Sequence, residues 1–108
     1  MFCGGEFMNL FSRGNYSRAS RLLDYCGLPE QSAKLLMRSY RREEKELRLL
    51  PYLVKSGDNV LDIGAANGAY SMALRDLGCS VTAFEPNPNS IRALRRKLPW
   101  LNLFECAL

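Results

Sequence analysis

The stretch NVLDIGAANGAYS, residues 59–71, decides how the rest of this sequence is interpreted. Its first five residues, NVLDI, form a short segment that is β-branched in part and follows the turn residues Gly57 and Asp58, which is typical of a buried strand. A loop of glycine and small residues follows, and helical spacing of apolar residues begins at Ala69. A strand, a glycine loop and a helix in this order are typical of proteins that bind nucleotide-like cofactors. We call residues 64–68 the glycine loop.

The segments after this stretch continue the alternation of strands and helices. "SVTAF" predicts a second strand over residues 80–84, Asn87 and Pro88 begin a helix over residues 88–98, and "LNLFECAL" predicts a third strand. Short connections between alternating elements indicate an α/β fold, the N-terminal part of a Rossmann-like parallel sheet with flanking helices. Ligands bind such sheets at the carboxyl ends of the strands, where the glycine loop and Glu85 both lie.

The first half of the chain predicts a helical segment. Residues 1–16 show no sustained period and indicate a loose arm, residues 17–25 predict a short helix, and residues 29–50 predict a long amphipathic helix. We therefore divide the chain into a helical N-terminal segment, residues 1–52, and a truncated cofactor-binding domain, residues 53–108. The polar face of the long helix is basic and carries Lys34, Arg38, Arg41, Arg42, Lys45 and Arg48. Such a face can meet phosphates, but we interpret it as solvated surface.

Composition narrows the classes of partner. The 108 residues carry a net charge of +4, a modest excess that permits nucleic acid or an acidic substrate without arguing for either. The four cysteines form no C-x-x-C pair and there is no histidine, so we expect no metal site. The sequence shows neither a signal peptide nor an apolar run that could span a bilayer, so we expect a cytoplasmic protein without membrane contact.

The glycine loop departs from the dinucleotide fingerprint. Aligned on Gly64, the pattern G-x-G-x-x-G would require glycines where Ala66 and Ala69 stand. Asp62 is a second obstacle, because a carboxylate at the end of the strand repels a pyrophosphate. S-adenosylmethionine has no phosphate and carries a cationic sulfonium and a cationic ammonium, so the same acid attracts it. Asp62 and the small turn of Gly64, Ala65 and Ala66 therefore favour this cofactor.

Glu85 completes the predicted site. It stands about 20 residues beyond the glycine loop, at the end of the next strand, where a carboxylate can accept both hydrogen bonds of a ribose diol. Each feature has a plainer interpretation: Asp62 as a cap, the glycines as ordinary turn residues, Glu85 as a surface acid. Their joint occurrence in this order on a strand–loop–helix–strand frame favours a cofactor site.

The same residues resemble a known family. "GDNVLDIGAANGAYS" and "TAFEPNP" are similar to the opening of class I S-adenosylmethionine-dependent methyltransferases, in particular to the FkbM-like family, over about residues 53–108. The family pattern has Asn directly after Gly-Ala, whereas this chain has Ala66 there and Asn67 next. The resemblance implies cofactor contacts at the following positions: Asp62, Gly64, Ala65, Ala66, Asn67, Gly68, Glu85 and Pro86.

The resemblance also implies a reaction, O-methylation of a sugar or of another small hydroxylated acceptor. The complete class I sheet has seven strands, of which this sequence supplies three. We therefore expect an N-terminal portion of the domain that is inactive alone, and we assign no catalytic residue. We also expect self-association or docking of a C-terminal half, because a three-stranded sheet leaves an edge and a face uncovered. Two alternatives are a cofactor-binding module without chemistry and a nucleic-acid-binding domain that uses the basic helix.

Overall fold

The computed structural model describes residues 13–108 of the chain, without the side chains of residues 13–17 and Glu43. Helix α1 spans Arg13–Tyr25, α2 spans Pro29–Glu43, and a 3-10 helix spans Lys45–Arg48, followed by the short α3, Leu50–Leu53. Strand β1, Asn59–Ile63, is joined through α4, Ala69–Asp76, to β2, Ser80–Phe84. Helix α5, Pro88–Lys97, leads to β3, Asn102–Phe104. The predicted α/β class is confirmed.

The three strands form one parallel sheet in the order β1-β2-β3. The register pairs Asp62 with Ala83 and Ile63 with Phe84, so that β1 and β2 end at the same edge of the sheet. Helices α4 and α5 cover one face, because Leu74 and Leu94 join Ala83 in one core cluster. The predicted cap of α5 is confirmed: the Asn87 Oδ1 accepts hydrogen bonds from the backbone N–H groups of residues 89 and 90.

The prediction that "NVLDI" is a buried strand is right for one face only. Val60 and Asp62 face the helices, whereas Leu61 and Ile63 are 60% and 65% exposed on the other face. Phe104 continues this apolar face and stacks on Phe84 with ring centroids 5.2 Å apart. A strand of a parallel sheet is buried on both sides only where helices cover both faces of the sheet, and the described part of the chain supplies one layer of helices.

Two predicted helix boundaries were wrong. Helix α1 begins at Arg13, so residues 13–16 are helical rather than part of a loose arm, while residues 1–12 lie outside the described part of the chain. The long helix predicted over residues 29–50 ends at Glu43, because Glu44 adopts extended backbone angles. The tighter 3-10 turn then buries Leu47 with Met37 and with residues of α4. The apolar periodicity of the sequence does not reveal this tertiary contact.

The N-terminal helices pack on the helical side of the sheet. Ala33 of α2 belongs to the same core cluster as Val81 and Leu94. Asp24 of α1 lies 3.5 Å from the Arg96 guanidinium and 3.7 Å from the Lys97 ammonium at the end of α5. The Asp24 and Lys97 side chains are 9% and 20% exposed, so this pair joins α1 to α5 through a weakly hydrated contact, whereas Arg96 is 62% exposed. No helix in the described part of the chain is long and apolar enough to cross a membrane.

Candidate functional site

The glycine loop is held against the end of β2 by backbone hydrogen bonds. The N–H groups of Gly64 and Ala65 both donate to the carbonyl of Phe84, at 2.8 and 3.1 Å. The Gly68 N–H donates to the Ala65 carbonyl at 2.7 Å and closes the turn. The loop is therefore fixed to the neighbouring strand before any side chain is considered, and two sequence-predicted residues, Gly64 and Ala65, lie at the carboxyl edge of the sheet.

The buried side chain of Glu85 accepts two hydrogen bonds and holds this loop, an arrangement that we call the clasp. Its carboxylate accepts a hydrogen bond from the Ala66 N–H at Oε2, 2.8 Å, and one from the Asn87 N–H at Oε1, 2.7 Å. The residue is only 6% exposed. Glu85 thus joins the glycine loop to the start of α5, a structural role that the sequence did not predict. A carboxylate offers about four acceptor positions, so two remain for a ligand diol.

Asp62 is oriented by a serine on the following helix. The Ser71 hydroxyl donates to Oδ2 of Asp62 at 2.6 Å, and Ser71 is completely buried. This bond engages one carboxylate oxygen, Oδ2, and fixes the orientation of the carboxylate. Sequence reasoning missed Ser71, although the Y-[ST] that ends the family pattern was the signal that could have found it.

The two glycines of the loop have different structural roles. Both have a positive φ, +79° at Gly64 and +80° at Gly68, a backbone region that L side chains rarely adopt. A Cβ at Gly68 would lie 2.6 Å from Leu98 and 2.8 Å from Leu94, so this glycine lets α4 pack against the end of α5. A Cβ at Gly64 would meet nothing within 4 Å. Gly64 therefore leaves an open cradle beside Asp62, and the residues present fit a small cationic cofactor.

The remaining predicted residues have local roles. The Asn67 Oδ1 accepts a hydrogen bond from the Ala69 N–H at 3.0 Å and so caps the first turn of α4. Ala66 has a φ of +48° and is the one residue other than glycine with positive φ in the described range. Pro86 is exposed between Glu85 and the Asn87 cap. The structure thus joins Ala66 directly to Glu85 and holds Gly64 and Ala65 on the neighbouring Phe84 carbonyl, while Asn67 bonds to the backbone of Ala69 instead.

Burial and nearby carboxylates both act on Tyr70 at the start of α4. The pKa of the Tyr70 phenol is raised above its ordinary value, first by burial and then by the charges of Glu44, Glu46 and Asp62. The break at Glu44 therefore brings two acids from the N-terminal segment near the start of α4. Because Tyr70 stays protonated at neutral pH, its hydroxyl can donate a hydrogen bond there but cannot serve as a general base.

A family model described as a methyltransferase domain matches residues 37–104, more than half of the chain. The chain belongs to this methyltransferase family. With the parallel sheet and the glycine loop, it is a class I methyltransferase domain, and this family generally uses S-adenosylmethionine. The membership accounts for the strand–loop–helix–strand frame but leaves the FkbM-like subfamily unresolved.

Two curated relatives show similar identity over short stretches. A ribosomal RNA small subunit methyltransferase A from Chlorobaculum parvum is 42% identical over 52 residues, 48% of this chain and 19% of the relative. A ribosomal protein L11 methyltransferase from Campylobacter concisus is 40% identical over 47 residues, 44% of this chain and 17% of the relative. The chain thus spans about a fifth of the length of the curated relatives it matches. No solved structure matches the chain significantly.

Proposed function

We propose that this chain binds S-adenosylmethionine at the glycine loop, with Asp62 facing its cationic groups and Glu85 facing its ribose. The observation that carries the proposal is the clasp of Glu85 on the Ala66 N–H, which brings an acid of β2 onto the loop that follows Asp62. Two carboxylates, at the end of β1 and just after β2, flank a loop with open space at Gly64, and this arrangement suits a cationic cofactor and disfavours a pyrophosphate. When bound, the cofactor supplies an electrophilic methyl group.

For the reaction, we propose transfer of this methyl group to a hydroxyl of a sugar or another small acceptor, as in the FkbM-like family. The support is the motif resemblance over residues 53–108 and the small, clasped loop. The residues described here orient and bind: Ser71 orients Asp62, and Glu85 fixes the loop, so that cofactor and acceptor can be aligned. This proposal also requires an acceptor pocket in the whole protein and a base that removes the hydroxyl proton.

The names of the two relatives leave the acceptor open. One name contains an RNA and the other a ribosomal protein, yet each relative matches about half of this chain at similar identity. A shared cofactor-binding part with different acceptors is the ordinary situation in such folds. An RNA acceptor is therefore the second candidate, and the basic residues of α2 are the observation that favours it.

Two glycines provide a matched test of the cofactor site. Gly64 and Gly57 both have positive φ and open space where a Cβ would stand, but Gly57 lies in the turn before β1. Gly64→Ala and Gly57→Ala should lower the free energy of unfolding by a similar amount, about 1–2 kcal/mol each. In calorimetric titrations with S-adenosylhomocysteine, Gly64→Ala should weaken binding at least tenfold and Gly57→Ala less than twofold. Equal loss in both variants, or tighter binding of NAD than of S-adenosylhomocysteine, would refute the site.

A further inference from the structure

The basic residues of α2 form one exposed surface. Four exposed cations recur at helical spacing along this helix: Lys34, Arg38, Arg41 and Arg42. At this spacing their side chains share one face, and we call them the basic stripe. Arg41 lies 3.5 Å from Asp76 of α4, but both side chains are more than half exposed, so water screens this pair. No ion pair within the described residues engages the other three cations.

A cavity of about 340 Å³ lies beside the basic stripe, between α2, α4 and the end of α5. On α2 its lining extends from residue 30 to residue 37, two turns of the helix that rise about 10 Å and include Lys34. Helix α4 contributes Arg75 and also Asp76, the partner of Arg41. The stripe therefore borders the cavity at two of its cations. Pockets that hold small ligands have volumes of about 300–1,000 Å³, so this cavity is large enough for one planar ring system.

The walls of the cavity combine apolar side chains with an aromatic ring. Met37 and Leu98 are buried there, and Met72 and Trp100 are half-buried. The Arg75 guanidinium lies 4.3 Å from the centroid of the Trp100 ring, a cation–π contact that holds the ring in place. Arg75 is itself exposed and lines the cavity. Aromatic rings and arginine guanidinium planes are the surfaces on which the bases of a single-stranded nucleic acid stack.

The structure also describes two acids at the cavity. Asp76 faces Arg41 of the stripe, and Glu30 stands at the start of α2, one turn before the first cation of the stripe. Each acid opposes a phosphate group at the cation next to it. Arg38 and Arg42 are therefore the residues of the stripe on which phosphate contact depends.

We propose that the basic stripe and this cavity bind a single-stranded nucleic acid, with phosphates on Arg38 and Arg42 and one base in the cavity against Trp100. Phosphates alone would use the stripe but not the cavity, and a small apolar molecule would use the cavity but not the stripe. A nucleotide chain uses both, because it carries phosphates and planar bases together. The sequence alone indicates a solvated helix face, since it does not show that an aromatic ring lies beside α2.

The proposed surface goes beyond the cofactor site and does not depend on it. Among the described residues that line the cavity, none belongs to the glycine loop. The two proposals can therefore fail separately. Nucleic-acid binding here would support the RNA acceptor that was named above as the second candidate.

The test uses the full chain and the fluorescence of Trp100, which is the only tryptophan in the sequence and so reports on the cavity. A ten-nucleotide oligoadenylate RNA and an abasic decamer with the same number of phosphates are titrated separately. The oligoadenylate should quench the Trp100 emission, and the abasic decamer should not. In competition against a fluorescein-labelled RNA, followed by anisotropy, the oligoadenylate should bind at least fivefold more tightly than the abasic decamer.

Substitutions separate the phosphate contacts from the base contact. Arg38→Gln and Arg42→Gln should each weaken oligoadenylate binding at least threefold and make the slope of log K against log salt shallower by about 0.7. Arg92→Gln is the matched control, because it removes an exposed arginine of α5 outside the stripe, and should change binding less than twofold. Trp100→Leu should weaken binding of the oligoadenylate at least fivefold and leave that of the abasic decamer unchanged, and Trp100→Phe should restore most of the loss.

The exposed Arg38 and Arg42 keep the test decisive if Trp100→Leu disturbs the core. The proposal is overturned if the oligoadenylate leaves the Trp100 emission unchanged, if the abasic decamer binds as tightly, or if Arg92→Gln weakens binding as much as Arg38→Gln. It is also overturned if polyglutamate binds more tightly than the RNA, since the surface would then take acidic proteins. In a parallel titration, S-adenosylhomocysteine binding without RNA binding refutes only this surface, whereas RNA binding without S-adenosylhomocysteine binding refutes only the cofactor site.

Discussion

Replacing Glu85 with glutamine should destabilise the fold through the glycine loop. In the native chain both carboxylate oxygens accept from backbone N–H groups, at 2.8 Å from Ala66 and 2.7 Å from Asn87, and the residue is 6% exposed. Glutamine keeps the shape and one acceptor oxygen, but its NH₂ group must face the other backbone donor. One backbone N–H therefore loses its partner at a part-buried position, and the bond that remains loses its ionic character.

The expected loss in the free energy of unfolding follows from these two changes. A hydrogen bond to a charged group contributes about 1.5–3 kcal/mol to stability, and a buried donor without a partner costs about 1–3 kcal/mol. These two free energies overlap in part, so they are not added. We therefore expect Glu85→Gln to lower the free energy of unfolding by about 2–3 kcal/mol. For a domain of this size that corresponds to a fall in Tm of roughly 10–20 °C.

The assay is thermal and urea unfolding followed by far-ultraviolet circular dichroism. Glu105→Gln is the matched control, because Glu105 pairs with Arg95 at the surface with about half of its side chain exposed, and should cost less than about 0.5 kcal/mol. If Glu85→Gln costs no more than this control, the clasp does not stabilise the loop. Cofactor affinity, measured below the melting range, should fall together with stability.

Three further results are expected. Ala66→Gly should raise the free energy of unfolding by up to about 1 kcal/mol in urea melts, because glycine adopts a φ of +48° without strain; a loss of stability would contradict the left-handed backbone there. Tyr70→Phe should remove an alkaline step from the phenolate absorbance titration near 295 nm, since burial and, after it, the charges of neighbouring carboxylates raise the pKa of the native phenol above its ordinary value. Because the Tyr70 phenol loses its proton at lower pH in the unfolded chain than in the folded chain, the free energy of unfolding should also fall as pH rises through the folded pKa of Tyr70. If the absorbance titration of Tyr70→Phe equals that of the parent chain, the placement of the three carboxylates is contradicted. Ile63→Ser should reduce concentration-dependent pairing of the 108-residue chain in sedimentation experiments, because Ile63 is 65% exposed on an apolar sheet face that a second copy can cover; a parent chain that is monomeric at every concentration would refute this.

The strand–loop–helix frame could be predicted because its signals are local. The apolar run before Gly64, the glycine at Gly68 and the Asn87–Pro88 pair each determine backbone geometry within a few residues. The fold class and the position of the predicted site at the carboxyl edge followed from them. Whether Asp62 and the loop residues contact a cofactor stays a prediction, as does the division of the chain at residue 52.

The failures share a different physical origin, contacts between distant parts of the chain. No proline or glycine marks Glu44, where the long helix ends so that Leu47 can reach Met37 and α4. The exposure of Leu61 depends on which layers cover the sheet, not on the residue itself. The clasp of Glu85 on the loop joins residues 19 positions apart. Such contacts override local periodicity, and one sequence carries no direct record of them.

The departure at Ala66 shows why the loop tolerates a change in its motif. The bond to Glu85 is made by the backbone N–H of Ala66, and the preceding bonds to the Phe84 carbonyl are also made by backbone groups. The side chain at this position therefore enters only through the cost of a positive φ, which asparagine bears better than alanine. We therefore expect an Ala66→Asn variant to keep the bond to Glu85, while the Asn67 Oδ1 still accepts from the Ala69 N–H at the start of α4. It follows that the hydrogen bond to Glu85 depends on the backbone geometry of the glycine loop rather than on the identity of the side chain at position 66.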